Sequence, residues 1–345
     1  MIVDTYPTRE AWLAARRAPD TIGASEAAAV LGIHPHLDTW TLWQSKRGAG
    51  ADDKSGVLAR GHRWESAVLA EYEDMSGARI VAPGAHFGRP GHLVTIASTA
   101  RPWLRESPDA FAVDAQGELG HVEAKTAMDP HAWSPTVGVV VERWADGAEE
   151  HVPPHYAVQA YVQLEVTGLP WNDVCALVPH GGWLAVRWVR ILRDPETQGQ
   201  IAAALEAWRD RHLVAGEAPD VDGSRACNRY LAAAFQARPA RVATADEAAK
   251  LRELARLRSE AKTIDARVAM LTNDLVTTAA GARLTLTAAK GAPYGQPQAS
   301  AGRTTVDAEK LRAEYPEAHA ACTRRGAPFV TFNTYRFSTE KHHVE

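Results

Sequence analysis

A chain of 345 residues is long enough for one large domain and a smaller one, and 46% hydrophobic with 23% charged residues is the composition of a packed globular protein, not a disordered chain. The formal charge of -4 excludes a globally basic nucleic-acid binder and leaves only a local basic stripe for that role. Cys175, Cys227 and Cys322 lie far apart without CxxC spacing, which argues against a disulfide framework, a zinc site or an Fe-S cluster and fits a reducing cytosol. The opening "MIVDTYPTREAW" has early acids and no apolar signal segment, and no run of about 18 uncharged apolar residues occurs. The chain is therefore expected to be neither secreted nor membrane-spanning.

In chain order, "ASEAAAVLG" predicts a short helix with Ser25 as its N-cap and Gly32 as its stop. A second helix is expected from His62 to Met75, where Glu65, Leu69 and Tyr72 follow i, i+4, i+7 spacing and turn an acid inward along an apolar stripe. "SPDAFAVDAQGELGHVEAKTA" reads as a hairpin around "DAQG", with Asp109 opposite position 122 or 123. "HYAVQAYVQLEVTG" predicts a helix stopped by Gly168, with Tyr156, Gln159 and Gln163 on one face, and "VCALV" and "WLAVRWVRI" form a strand pair around "PHGG".

Near residue 222 the composition shifts, and Leu254, Leu257, Ala261, Ile264, Val268, Leu271 and Leu275 step by three and four. This predicts one long helix over about 244–277, packed as an intramolecular brace in preference to an intermolecular coiled coil. A small β-containing tail is expected beyond it. The domain assignment is 1–222 and 223–345. Trp40, Trp43, Trp64, Trp133, Trp183 and Trp188 fall in amphipathic elements and are assigned to core packing. His34, His36, His342 and His343 lack convergent acids and are assigned to loops.

The chemistry concentrates in Asp109 and the Glu123-Ala-Lys125 run. Residues i and i+2 of a strand share a face, so Glu123 and Lys125 look into one space about 6 to 7 Å apart. A phosphodiester repels hydroxide, and its hydrolysis calls for hard cations that neutralise charge and acidify water. Mg²⁺ takes oxygen ligands and keeps several waters, so Asp109, Glu123 and the backbone carbonyl of Ala124 suffice, with Glu65 available to a second ion. Lys125 orients or deprotonates the attacking water, or stabilises the growing charge. No GxxxxGK[ST] phosphate loop occurs, so no use of ATP is expected.

Several segments in order, "IGASEAAAVLG" with "TWTLWQSKRG", "RGHRWESAVLAEYEDMSG", "SPDAFAVD", "HVEAKTA" and "HYAVQAYVQLEVTG", resemble the YqaJ-type viral recombinases, the group that includes bacteriophage lambda exonuclease, within the PD-(D/E)xK nuclease superfamily. The resemblance covers about residues 10 to 222. It implies an α/β (α+β) fold, a restriction-endonuclease-like core with a central mixed sheet flanked by helices, here followed by a C-terminal helical and β extension. It implies a 5′-to-3′ exonuclease that digests duplex DNA ends with Mg²⁺, Mn²⁺ being a substitute, and leaves 3′ single strands for an annealing protein. Asp109 and Glu123 match its metal ligands, Lys125 its catalytic lysine and Glu65 its helix acid. Ser25, Ser107 and Arg16 look like the positions that hold the 5′ phosphate, and Gln159 like the glutamine abutting the site.

The resemblance also implies a ring trimer and the cytosol of a bacterial host. Residues 304 to 332 look like an extension found on some such phage proteins, with Arg324 and Arg325 in reach of a DNA backbone. Two other functions remain open at this point: an endonuclease or junction-cleaving nuclease on the same core, and a non-catalytic DNA-binding recombination module.

Overall fold

The computed structural model describes residues 1–48, 56–126, 139–143, 149–180, 183–235, 241–280 and 308–323, with backbone alone for 56–62, 139–143, 149–150, 179–180 and 183. Trp133, Arg324, Arg325, His342, His343, the side chain of Trp183 and the expected β-containing tail lie outside the described residues. The chain divides into two compact units, Met1–Cys227 and Asn228–Glu345. The first extends past position 222 because Ala226 and Cys227 are buried in one cluster with Trp40 and Trp43.

The first unit runs β1 (Ile2–Tyr6), α1 (Arg9–Arg16), β2 (Ile22–Gly23), α2 (Ala24–Val30), α3 (Thr39–Lys46), α4 (Gly56–Ser76), β3 (Arg79–Val81), α5 (Pro83–His86), β4 (Leu93–Ala97), β5 (Leu104–Glu106), β6 (Ala110–Val113), β7 (Leu119–Thr126), β8 (Val139–Arg143), β9 (Glu149–Val152), α6 (Pro154–Thr167), β10 (Trp171–His180), β11 (Trp183–Leu192) and α7 (Pro195–Trp208). A π-helical turn, Arg209–Val214, continues α7, and α8 (Arg225–Ala234) straddles the boundary. One sheet has the order β1-β4-β5-β2 and a second β11-β10-β7-β6-β3. In the second, β7 pairs parallel to β10 and antiparallel to β6. The result is the expected α/β architecture with a central mixed sheet flanked by helices.

The hairpin β6–β7 closes where the sequence places it. Asp114 Oδ1 accepts from the Gln116 and Glu118 backbone N–H groups, so the side chain organises the turn. Helix α6 stops at Gly168, whose φ of 74° only glycine adopts without strain. One face of β7 sends Val122 against Val68 and Tyr72 of α4, and the other sends His121 and Glu123 toward α6. Beside it Gly120 leaves room for the Trp171 ring, whose atoms would lie 2.1 to 2.3 Å from a Cβ at that position.

Arg190 stacks on Trp171 at 3.8 Å and bridges Asp173 in a fork at 2.8 and 2.9 Å. It also reaches Asp114 at 3.0 Å, and the Tyr72 hydroxyl donates to Asp173 at 2.5 Å. This buried network ties α4, β10, β11 and the hairpin turn together.

Three expectations are corrected. Ser25 is inside α2; Gly23 is the N-cap, and its N–H goes to Glu26 Oε2 at 2.8 Å. Helix α4 begins six residues before His62, and Trp64 on it is 47% exposed instead of packed in the core. In the second unit, α9 (Ala245–Ala279) is one continuous helix, as expected, and Leu257, Ile264, Val268, Leu271 and Leu275 of its seam are exposed. Two short helices, α10 (Ala308–Glu314) and α11 (Pro316–Cys322), complete that unit's described elements. Among the described residues no helix is long and apolar enough to cross a membrane.

Candidate active site

The geometry of the site follows from a match of two periodicities. Two residues along β7 advance roughly 6.6 Å, and four residues along a helix advance about 6 Å. Successive inward side chains of β7 therefore meet successive turns of α6. His121 Nε2 lies 3.2 Å from Thr167 Oγ1, Gln163 Nε2 donates to Glu123 Oε2 at 2.7 Å, and Lys125 Nζ donates to Gln159 Oε1 at 3.1 Å. Asn172 of β10 in turn donates to Gln163 Oε1 at 2.7 Å, which fixes that carboxamide's orientation.

Glu123 is 4% exposed and has three donors on its carboxylate: Gln163 on Oε2, and both Lys125 Nζ and Gln159 Nε2 on Oε1, each of these two at 2.5 Å. Burial alone raises a carboxyl group, but Lys125 and the two glutamines overcome it and hold Glu123 below its ordinary value. For the Lys125 ammonium, burial is offset by Glu123 and Asp109, which hold it above its ordinary value. Asp109 behaves in the opposite way to Glu123. Burial, then the charges of Glu123 and Glu65, push it well up, with Lys125 and the Ala124 N–H opposing.

Asp109 sits one residue before β6, and the ladder that pairs Ala110 with Val122 continues to set Asp109 beside Glu123. Its Oδ2 accepts from the Ala124 backbone N–H at 3.0 Å. In a strand, a residue's N–H and C=O point to the same edge, so the Ala124 carbonyl is presented on the side of Asp109. Glu65, half-buried on α4, lies close enough to raise Asp109.

A cleft of about 300 Å³ joins these groups to a second set. Its lining includes Arg16, Ser25, Ser107, Asp109, Glu123, Lys125 and Gln159. Arg16 Nη2 donates to Ser25 Oγ at 3.2 Å, and its guanidinium lies 4.5 Å from the Trp12 ring. Trp12 Nε1 donates to Ser107 Oγ at 3.2 Å, and Thr95 Oγ1 is 3.2 Å from the same hydroxyl. The cleft thus has an acidic end and an end with a cation and two hydroxyls. Of the two adjacent arginines Arg16 lines the cleft and Arg17 does not, and Arg105 of β5 lines it as well.

Several participants escaped the sequence reading. Glu106, on β5, is 2% exposed, lines the cleft, and among the described residues has no hydrogen-bond partner on either carboxyl oxygen, His121 Nε2 lying 3.8 Å from Oε1. Burial, Glu123 and Asp109 push it well up. Lys46, 5% exposed, bonds Glu26 Oε2 at 2.7 Å behind Arg16 and Ser25. His34 and His36 are not isolated: His34 packs on His155 at 5.7 Å, and His155 on Tyr156 at 4.0 Å, with Lys125 Nζ 5.1 Å from the Tyr156 ring. Burial, with His34 and Lys125 nearby, pushes His155 down to about 4. A burial-breaking motif could have flagged Glu106, since "LRESPD" places an acid at an inward strand position. Nothing local marks the others.

Among the described residues no three acidic, histidine or cysteine side chains converge as a ready-made metal cage. The available donor set is thinner: two carboxylates and one carbonyl, which suits a cation that retains waters. The chemistry of the surroundings fits such an ion. Burial, then acidic neighbours, push both Asp109 and Glu106 well up, so the acidic end holds more carboxyl groups than Lys125 alone can balance in ionised form.

Known proteins that resemble this chain are the following. Protein YqaJ of Bacillus subtilis (strain 168) is 29% identical over 227 residues, which is 65% of this chain and 62% of that relative. This chain thus spans less than two thirds of that relative's length. Among solved structures, an alkaline exonuclease from Laribacter hongkongensis aligns at 21% identity over 60% of this chain and 93% of its own, with a TM-score of 0.43. A phage-related exonuclease from Haemophilus somnus 129PT aligns at 10% identity over 57% and 96%, with a TM-score of 0.32. Residues 11–170, which hold every side chain of the cleft, match the model of the YqaJ-like viral recombinase domain.

Proposed function

We propose that the chain is a metal-dependent double-stranded DNA exonuclease of phage or prophage recombination, digesting 5′ to 3′. The observation that carries this reading is the single cleft in which Asp109, Glu123 and Lys125 adjoin Arg16, Ser25 and Ser107. A divalent cation, Mg²⁺ or Mn²⁺, held by Asp109, Glu123 and the Ala124 carbonyl would neutralise phosphodiester charge and acidify a water. Lys125, aimed by Gln159, holds that water's proton-accepting geometry and offsets charge on the phosphate oxygens. Arg16, Ser25 and Ser107 bind the terminal 5′ phosphate, which sets the register of the strand so that the next ester lies over the acidic end. Glu65 would support a second ion. A cytosolic setting, a single-strand annealing partner and assembly as a ring trimer belong to the same reading.

The test is digestion of end-labelled linear duplex, 5′-phosphorylated or 5′-hydroxyl, with Mg²⁺ or EDTA, beside a covalently closed circle. The expected result is Mg²⁺-dependent release of nucleotides from linear DNA alone, abolished by Asp109→Ala. Arg16→Ala is expected to bring the rates on the two end chemistries together. Cleavage of the circle would establish an endonuclease instead, and binding without any cleavage a recombination module.

A further inference from the structure

The buried residue of helix α1 is Trp12, at 8% exposure. Arg16 follows four residues later on the same helix face, which brings its guanidinium to 4.5 Å from the indole ring. From there Arg16 Nη2 donates to Ser25 Oγ at 3.2 Å. The same indole sends its Nε1–H to Ser107 Oγ, also at 3.2 Å. One ring therefore touches both arms of the cleft end that carries the cation and the two hydroxyls.

Burial alone does not call for tryptophan, since phenylalanine or leucine anchors a helix as well. What the indole adds is a donor that never accepts. A hydroxyl has one proton and two lone pairs, and Trp12 occupies one lone pair of Ser107. Thr95 Oγ1, buried 3.2 Å from Ser107 Oγ, bonds it in either direction. The Ser107 proton is thus free to leave Thr95 for a ligand while the Thr95 proton swings in behind it. Ser25 is in a similar state: its oxygen accepts from Arg16, which leaves its proton to donate. Both serines then meet a ligand with an O–H group, beside a guanidinium. Such a set complements a phosphate, whose oxygens only accept.

We propose that Trp12 is a positioning residue for the 5′ phosphate, holding Arg16 against its face and Ser107 at its edge, so that the cleft selects a 5′-phosphoryl over a 5′-hydroxyl terminus. It acts through these two neighbours and not on the DNA itself. The proposal rests on the reading of this end of the cleft as the terminal-phosphate site.

The experiment measures kcat/KM of the full chain with Mg²⁺ on linear duplexes that differ only in a 5′-phosphate or 5′-hydroxyl, and fluorescence anisotropy of the same duplexes in EDTA. The variants are Trp12→Phe, Trp12→Leu, Ser107→Ala and the two combinations with Ser107→Ala. Phenylalanine keeps a ring under Arg16 and deletes the N–H; leucine deletes both. Trp12→Phe is expected to lower the preference for phosphate roughly fivefold, and Trp12→Leu roughly threefold more, in rate and in binding. On Ser107→Ala, Trp12→Phe should have no further effect because its bond is already gone, whereas Trp12→Leu should still lower the preference through Arg16. Trp12→Tyr, a second ring without the indole N–H, is measured beside Trp12→Phe, and far-UV circular dichroism checks each fold.

A tryptophan that merely anchors α1 would slow both ends alike, leave their ratio unmoved and add its effect to that of Ser107→Ala. Any of these results in both ring variants overturns the proposal. A wild type indifferent to end chemistry removes the phosphate site and the role of Trp12 with it. A wild type that discriminates, with Trp12→Phe discriminating equally well, removes the role of Trp12 alone.

Discussion

Replacing Lys125 by methionine keeps the stem and deletes the ammonium that touches Glu123. At 2.5 Å and an effective dielectric of about 20, the attraction removed is about 6 to 7 kcal/mol. Two effects return part of it: the ammonium, only 18% exposed, no longer has to be desolvated, and Gln159 and Gln163 still donate to the carboxylate. The net loss is expected to be about 3 kcal/mol at pH 8 in EDTA.

Its pH dependence is the sharper consequence. In the wild type, Glu123 lies below its unfolded value of 4.5, so its contribution is present above that pH and lost as pH falls. Without Lys125, burial and Asp109 dominate and raise Glu123 above 4.5. Its contribution is then favourable at low pH and lost as pH rises. The destabilisation caused by the substitution should therefore shrink between pH 8 and pH 5. Urea titrations at both values, with activity on linear duplex measured in parallel, give the answer. An equal loss at the two pH values would refute the claim that the pair is electrostatically coupled inside the site.

Glu106 predicts the reverse behaviour. Its folded value stands well above 4.5, so the stability it contributes is full below that pH and disappears as pH rises; Glu106→Gln should raise the melting temperature in EDTA at pH 8 and leave it nearly unchanged at pH 4.5. A lower melting temperature at pH 8 would mean that the carboxylate is ionised and paired. Arg190→Leu strands Asp173, which is 0% exposed, with the Tyr72 hydroxyl as the remaining side-chain donor among the described contacts, and is expected to cost about 3–5 kcal/mol by chemical denaturation. A loss under 1 kcal/mol would show that water reaches Asp173 once the guanidinium is gone.

Local signals determined much of this protein without any coordinates. Alternation around "DAQG" gave β6 and β7, and the two-residue period put Glu123 and Lys125 on one face. Gly168 ended α6 because a left-handed residue there closes the helix. The four-residue period set Tyr156, Gln159 and Gln163 along one line, and the three-four pattern gave α9. All of these depend on neighbours a few residues away, which is the range over which backbone geometry is set.

What faces what was decided only by tertiary structure. Trp12 meets Ser107 across 95 positions and Lys125 meets Gln159 across 34, and no period within either segment names the other. For the same reason the clamp of Lys46 on Glu26 and the stacking of His34 on His155 had no local trace, and the burial of Glu106 had only its inward strand position. Ser25 shows the limit from the other side. Its residue type favours a helix cap, but Glu26 already accepts the Gly23 N–H, which frees the serine hydroxyl to turn toward Arg16. Periodicity determines which way a side chain points; only the packing of distant segments determines what it meets there.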